Sequence, residues 1–319
     1  MAQPTQSQVH VNRPLTNISV AFLQKSGYVA GQVFPFVPSD KASNQYWTFD
    51  RTFFLRREAE QRAAGTVARR KGMGVSTATF TTVRDAIAYD LPDPVRANAD
   101  EGLNLERAAV ELVTQDMLIA QEVRWVTAFF GTSIWNADTT PGTLWDNVAS
   151  TPIEDIEARR IVMEENTGGY SPNTFVMGAQ AWSETKNHPD LIDRIKYTQR
   201  GVMSVELFAQ LIEVPKVLVA RASRNTAAEG VAGSYDYIAG QTNALLTYSA
   251  PTPGAFTPSA GYTFTWSGAP DGAGNSYGLA IKKYRRPEEY ETDSIEINSW
   301  YVHSVVSTVL GEFFSAVVT

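Results

Sequence analysis

The chain has 319 residues, with 27 lysines and arginines against 34 aspartates and glutamates, a formal charge of −7. That length suggests about two domains, and 43% hydrophobic with 19% charged residues excludes disorder for most of the chain. The absence of cysteine rules out disulfides, thiolate metal sites and a cysteine nucleophile, while the acidic balance argues against strong nonspecific attraction to nucleic acid.

Residues 1 to 19 carry Gln, Ser, Thr and Asn where a signal peptide would need an apolar core. No apolar run approaches the ~18 residues that span a bilayer. The expectation is a soluble, intracellular protein without a membrane partner, in which the Asn17-Ile18-Ser19 sequon is chance. Residues 1–45 are polar and punctuated by Pro4, Pro14, Pro35 and Pro38, which reads as an extended arm.

Between residues 46 and 90 the character changes. Tyr46–Phe49, Thr52–Leu55 and Ala78–Val83 read as strands. Around and between them lie Arg51, Arg56, Arg57, Arg62, Arg69, Arg70 and Lys71, interrupted by Glu58 and Glu60. Two strands of about 15–20 residues would reach roughly 50–65 Å at about 3.4 Å per residue, too far to lie over one small core. The segment therefore predicts a long hairpin that projects and needs a neighbour. Its Phe53, Phe54 and Phe80 are expected to contribute little to the subunit's own core.

After Pro92-Asp93-Pro94 a helical pattern runs from Gly102 to Phe130. Leu105, Ala109, Leu112, Ile119, Val123, Val126 and Phe130 form its expected core stripe. Asp100 and Glu101 suit its positive end, and Gly131 closes it. A second helix opens at Thr151-Pro152-Ile153-Glu154 with the spacing of a capping box and stops at Asn166–Gly169. Strand Asn173–Met177, a helix ending at Asn187-His188, a short helix over 190–197 and a Ser204-capped helix to Ile212 follow. Strand Val217–Ala220 completes a compact mixed unit. Beyond residue 225, strands are expected at Tyr235–Ile238, Ala244–Tyr248, Tyr262–Trp266 and Leu279–Lys283. Ile295–Asn298, Trp300–Val309 and Phe313–Val318 read as one final sheet.

Catalytic patterns are sparse. Gly268–Gly278 is Gly-rich but lacks the Lys-Ser/Thr ending and following helix that a phosphate cradle needs, so it reads as a surface loop. Glu288, Glu289, Glu291 and Asp293 imitate a pair of acid–base carboxylates, but sequence-adjacent acids after Arg285-Arg286-Pro287 read better as a solvated charged turn. His188 fits a helix end, and His303 in a β-branched run fits a packed or edge histidine. No Gly-x-Ser-x-Gly elbow occurs. No enzyme activity, cofactor or metal is expected. The basic stretch with its aromatics has one further reading, a single-strand nucleic-acid patch. An arginine arm meeting acidic surfaces of neighbouring subunits accounts better for an otherwise acidic chain.

The segment from Ser171 to Trp182, then His188-Pro189-Asp190-Leu191-Ile192-Asp193-Arg194-Ile195-Lys196-Tyr197, resembles the opening of the axial domain in one capsid family. Val217–Ala220 with Asn225-Thr226-Ala227-Ala228-Glu229-Gly230 resembles its next strand and loop. With the order of arm, projecting hairpin, long helix, mixed unit and terminal sheet, the chain resembles tailed-bacteriophage major capsid proteins of the Hong Kong 97-type fold. The likeness covers residues 46–319, most specifically 151–230.

The resemblance implies an α+β fold with an N-terminal arm (1–45) and an extended E-loop hairpin (46–90). A peripheral domain with the spine helix (91–149 and 281–319) and an axial domain (150–280) would complete it. It implies a subunit that self-assembles through hexamers and pentamers into an icosahedral head around double-stranded DNA, bound without sequence specificity. Scaffolding, portal and decoration proteins would be further partners, with assembly in the host bacterial cytoplasm and residence in the virion capsid. Some members join an E-loop lysine to a neighbour's asparagine. Lys71 is the only lysine of this segment and no acceptor can be matched, so no crosslink is expected. The nine residues Arg51, Phe53, Phe54, Arg56, Arg57, Arg62, Arg69, Arg70 and Lys71 are the expected intersubunit contacts. The alternatives are an encapsulin-type nanocompartment shell and, from another class, a β-rich hydrolase using the acids at 288–293.

Overall fold

The computed structural model describes residues 27–99, 104–195, 203–254, 256–269, 279–286 and 290–319. His10, the sequon, Asp100 to Gly102, Lys196, Tyr197, the tip of the Gly-rich loop and Glu288 with Glu289 lie outside them.

In chain order, a helical turn α1 (Ala30–Val33) leads to β1 (Phe36–Ser39) and β2 (Ser43–Phe49). Next come α2 (Arg51–Leu55), β3 (Val75–Thr81), β4 (Val83–Pro92), α3 (Asp93–Ala97), the long α4 (Leu105–Phe129) and β5 (Asp138–Thr139). The middle of the chain supplies α5 (Pro152–Thr167), β6 (Thr174–Gly178), α6 (Ala179–Lys186), α7 (Pro189–Ile195), α8 (Val205–Leu211) and β7 (Lys216–Ala220). The last third is β8 (Ser223–Asn225), β9 (Tyr235–Tyr237), β10 (Ala244–Thr247), β11 (Gly261–Trp266), β12 (Leu279–Arg285), β13 (Thr292–Val305) and β14 (Gly311–Phe314).

Two five-stranded sheets organise the body. The first runs β1-β11-β13-β12, with β4 also paired to β13, and the second runs β5-β14-β10-β6-β7. Three expectations change here. The last β-branched stretches are not one sheet: 292–305 is a single strand of the first, whereas 311–314 pairs with β10 in the second. The hairpin strands are seven residues each, about 24 Å of reach, not 15–20 residues. Residues 83–92 leave the hairpin altogether and pair with β13 from Pro92↔Thr292 to Val83↔Tyr301.

Thr52–Leu55 is helical, not extended. The Asp50 carboxylate accepts the Thr52 amide at 2.9 Å, and this cap outweighs the β preference of Thr and Phe over one turn. At α5 the reverse happens: Thr151 precedes Pro152 as expected, but its side chain makes no capping bond. The helix instead ends as its sequence suggests, with Gly168 in the left-handed region (φ 79°) and the Gly168 and Gly169 amides donating to the Glu164 carbonyl. Ser204 caps α8 through the Leu207 amide, as expected.

α4 carries the clearest correction. Its buried face is Ala109, Val113, Met117, Trp125 and Phe129, whereas Leu112 is 38% exposed. Against the expected stripe the buried positions move one residue forward at Val113 and one residue back at Glu122, Trp125 and Phe129, while Ala109 and Phe130 are buried as expected. The hydrophobic pattern misleads because Glu122 sits wholly buried on this helix. Its carboxylate accepts the Val29 and Ala30 amides at 2.9–3.1 Å and so fastens the turn α1 to the helix. Met117, Val113 and Ala109 pack on Ile295 and Ile297 of the first sheet. Trp125 and Phe129 pack with Val29, Val33 and Phe34, and with Val176, Leu245 and Phe313 on one face of the second. The opposite face of that sheet, with Phe175, Leu246 and Phe314, meets Ile153 and Ile156 of α5, Trp182 of α6 and Phe208 of α8.

Candidate assembly surface

The hairpin base is part of the body. Phe80 is only 7% exposed and stacks on Phe264, with ring centroids 4.0 Å apart and planes 6° from parallel. Tyr46 stacks on the same ring at 5.5 Å. The expectation that Phe80 stands outside the core is therefore wrong: β2 and β3 are short enough to lie on β11.

Beyond this base the chain changes character. Every residue from 51 to 73 except Glu58 is exposed. Arg51 is anchored, its Nη1 donating to the Asn166 carbonyl at 2.7 Å at the electronegative end of α5. Leu55 lies against Gly168, and the Phe53 ring against Gly74. The Lys71 ammonium donates to the Arg56 carbonyl at 3.2 Å, Arg56 approaches Glu58 at 4.0 Å, and Arg69 pairs with Glu60. Arg57, Arg62 and Arg70 have no partner among the described residues. The nine expected contact residues thus form one continuous exposed segment with a fixed root. Asp50, below its ordinary carboxylate range because it accepts from Thr52, fixes that root.

Against this root lies a groove of about 770 Å³. Its walls include Trp47, Phe54, Leu55, Tyr170 and Phe256, with Arg51 at the rim. Trp47 is 65% and Phe54 55% exposed, so large apolar side chains stand uncovered in the single chain. Phe256 and Tyr170 were not anticipated. An isolated aromatic in the Pro253–Pro258 turn was the available signal for Phe256, since a turn offers it no core to enter.

The other sequence candidates are dispersed. Asp293, proposed with the acidic cluster, is bound by Arg285 at 3.2 Å and Arg96 at 2.5 Å, which hold its carboxyl below the ordinary range. Glu291 is exposed in a left-handed turn (φ 41°). These two acids are tied into an ion-pair cluster or set in solvent, which gives no poised acid–base pair. His188 is buried, its Nε2 at 3.0 Å from the Asn147 carbonyl and from Ser150 Oγ, while Nδ1 accepts the Asp190 amide. Its ring therefore ties the 147–150 loop to the start of α7 by hydrogen bonds. His303 is packed as expected, with Nδ1 at 3.0 Å from Thr263 Oγ1.

No family model matches the chain. It is similar to the crystal structure of a phage-related protein from Bordetella bronchiseptica RB50, with a TM-score of 0.68 and 20% identity over 92% of this chain and 93% of that one. The capsid of Myoviridae phage XM1 aligns with a TM-score of 0.58 and 11% identity over 96% and 98% of the two chains. That of cyanophage P-SCSP1u gives 0.57 and 9% over 98% of each. The chain has the Hong Kong 97-type capsid fold. In sequence it is 24% identical over 220 residues to the major capsid protein of Burkholderia phage BcepMu, covering 66% of this chain and 69% of that one. The resemblance to tailed-phage capsid proteins, read most specifically from 151–230, is borne out.

Proposed function

We propose that this chain is the structural subunit of a tailed-phage head, a shell protein without catalytic activity. The capsid fold and the capsid relative support the reading. The observation that carries it is the 51–73 segment: an ordered root, an exposed basic loop and uncovered aromatics that a solitary protein has no reason to keep. Such contacts are individually weak, and a closed shell repeats them many times. On this reading the E-loop expected at 46–90 is confined to the hairpin of β2 and β3 with the loop between them, since β4 pairs with β13 in the body. The arm expected at 1–45 ends before Val29, which packs on α4, and 91–149 with 281–319 and 150–280 are the peripheral and axial domains. Hexamers and pentamers, packaged double-stranded DNA, scaffolding, portal and decoration proteins, and assembly in the bacterial cytoplasm belong to the same proposal.

The test is electron microscopy of the purified full chain beside a variant in which residues 56–73 are replaced by a short Gly/Ser turn. The expected result is shells from the former and none from the latter, with both melting cooperatively at similar temperatures. Replacement must stop before Phe80, which belongs to the core. Shells that enclose protein in place of DNA would favour a nanocompartment. Normal shells from the loopless variant would refute the assembly role of this segment.

A further inference from the structure

Glu312 places a carboxyl group in the middle of the second sheet. It lies on β14 in register with Leu246 of β10 and two residues from Phe314, so its side chain shares their face and points toward α5. It is 2% exposed, and its Oε2 has no hydrogen-bond partner among the described residues. Above it α5 presents Ile156 and Met163, both buried, with Arg159 between them on the same side of the helix. Arg159 is half-buried and forms no ion pair among the described residues. The charged groups that face Glu312 are Arg159 from α5 and Asp138 from β5, whose strand pairs with β14 at Phe313. β10 offers it the apolar Leu246, and Asp155, one turn before Arg159, is held aside by the Trp145 indole at 2.9 Å.

A neutral carboxyl group tolerates such a place, but a carboxylate there needs water or a cation. Strands on both sides fix β14, so α5 is the element that must move to admit either. The far end of that helix holds the hairpin root. Asn166, seven residues and about 10 Å beyond Arg159, gives its carbonyl to Arg51 at 2.7 Å, and Leu55 rests on Gly168. A displacement at Arg159 therefore reaches residues 51–55 through one rigid helix.

We propose that Glu312 and Arg159 form a proton-operated latch under α5. With Glu312 neutral, α5 lies closed on the sheet and Arg51 is held at its end. With Glu312 ionised, α5 lifts, Arg159 swings toward the carboxylate, and the Arg51 contact is released. The latch stands apart from the shell reading; only its consequence, that pH sets how firmly the hairpin root is held during assembly, rests on that reading.

Hydrogen–deuterium exchange of the unassembled full chain tests it, read by mass spectrometry from acid to mildly alkaline pH and corrected for the intrinsic rate of each amide. Burial raises the Glu312 carboxyl from 4.5 to about 7, opposed by Arg159 and helped by Asp138. A group raised in this way favours closure below 4.5, and that contribution falls away as pH climbs to about 7. Opening of 152–167 should therefore grow roughly tenfold per pH unit inside that window, the slope of one proton, and level off above it, with 51–55 following. In Glu312→Gln both should stay flat. Arg159→Met keeps the packed stem without its charge and should move the levelling to higher pH, whereas Asp138→Asn should move it to lower pH. Circular dichroism checks that each variant is folded.

Opening of α5 that does not change with pH, or that changes equally in Glu312→Gln, would overturn the proposal. Loosening of α5 without 51–55 would break the coupling, and equal loosening of α4 would make Glu312 a general stabiliser of the sheet; either result overturns it too. So would a levelling that moves in the same direction for Arg159→Met and Asp138→Asn. Microscopy reads the consequence: wild-type shells should be lost on raising the pH through that window, and those of Glu312→Gln should not. Absence of wild-type shells at every pH would remove the shell reading itself, while the exchange result still decides the latch.

Discussion

Replacing Phe80 by alanine separates the hairpin's base from its loop. The side chain is 7% exposed, stacked on Phe264, and shares a cluster with Tyr262, Val37, Tyr46, Val302 and Val306. An aromatic side chain buries on the order of 150–250 Å², which at about 25 cal/mol per Å² is roughly 4–6 kcal/mol. Buried Phe→Ala changes come to about 3–5 kcal/mol once the cavity partly relaxes. Phe80 lies at the margin of the body, where relaxation is easier, so about 3–4 kcal/mol is expected. Phe54→Ala, by contrast, removes a ring that is 55% exposed and should stay below ~1 kcal/mol.

The assay is urea unfolding of the unassembled subunit followed by tryptophan fluorescence, with the midpoint lowered and the slope unchanged for Phe80→Ala. Against a total stability of about 5–15 kcal/mol the loss is easily read. Equal, small losses from both variants would refute the reasoning, because β2 and β3 would then not be fixed on β11. In assembly the order should invert: Phe54→Ala leaves the fold intact and weakens shells.

Two further changes probe the second sheet. Burial pushes the Glu312 carboxyl up from 4.5 to about 7, with Asp138 adding to the rise and Arg159 opposing it. The raised value means that Glu312 favours the fold below pH 4.5, and that this contribution is lost as pH climbs through about 7. Glu312→Gln should therefore match the wild type near pH 4.5 and exceed it at pH 8; a constant difference in urea midpoint across that range would contradict this. Gly178→Ala would place a Cβ 2.2 Å from the Gln241 carbonyl oxygen and 2.4 Å from that of Gly240. Both obstacles are backbone, so the β6–α6 junction must shift, with a loss at or above the usual ~1–3 kcal/mol of overpacking; an unchanged melting temperature would show that the loop gives way freely.

Legibility in the sequence followed the range of the deciding interaction. Strand β6, helix α8 with its Ser204 cap and the Gly168 stop depend on neighbours a few residues away, and each was readable. The face of α4 was not. Glu122 is buried because amides 92 and 93 residues earlier need an acceptor, and no local pattern announces such a debt of hydrogen bonds. Thr52–Leu55 failed for a related reason: propensity favoured a strand, while a single cap at Asp50 sufficed for one turn. The candidate contact residues were legible because seven cations clustered in an acidic chain stand out. The groove beside them was not, since Trp47, Tyr170 and Phe256 come together only in three dimensions.

Strongly shifted titratable groups often mark active sites, where a cleft lets a substrate reach them. Here Glu122, His303 and Tyr301 face inward, and Arg285 at the surface is held by Asp93 and Asp293. Burial raises Glu122, but two backbone amides occupy its carboxylate and tie α1 to α4. Burial lowers His303 to about 4, and its ring is wedged between Phe129 and Tyr301 with Thr263 on Nδ1. The Tyr301 hydroxyl, raised by burial and by Asp85, donates to that carboxylate, which Arg124 also holds, so β4, β13 and α4 meet at one point. These groups are occupied in joining elements of the body, and Arg51 is the one charged residue among those lining the groove. The polar energy of the interior goes into fixing the two sheets on the long helix, while the uncovered aromatics and free arginines stand on a surface outside it. That division suits the shell subunit proposed above, which must keep its shape while binding copies of itself.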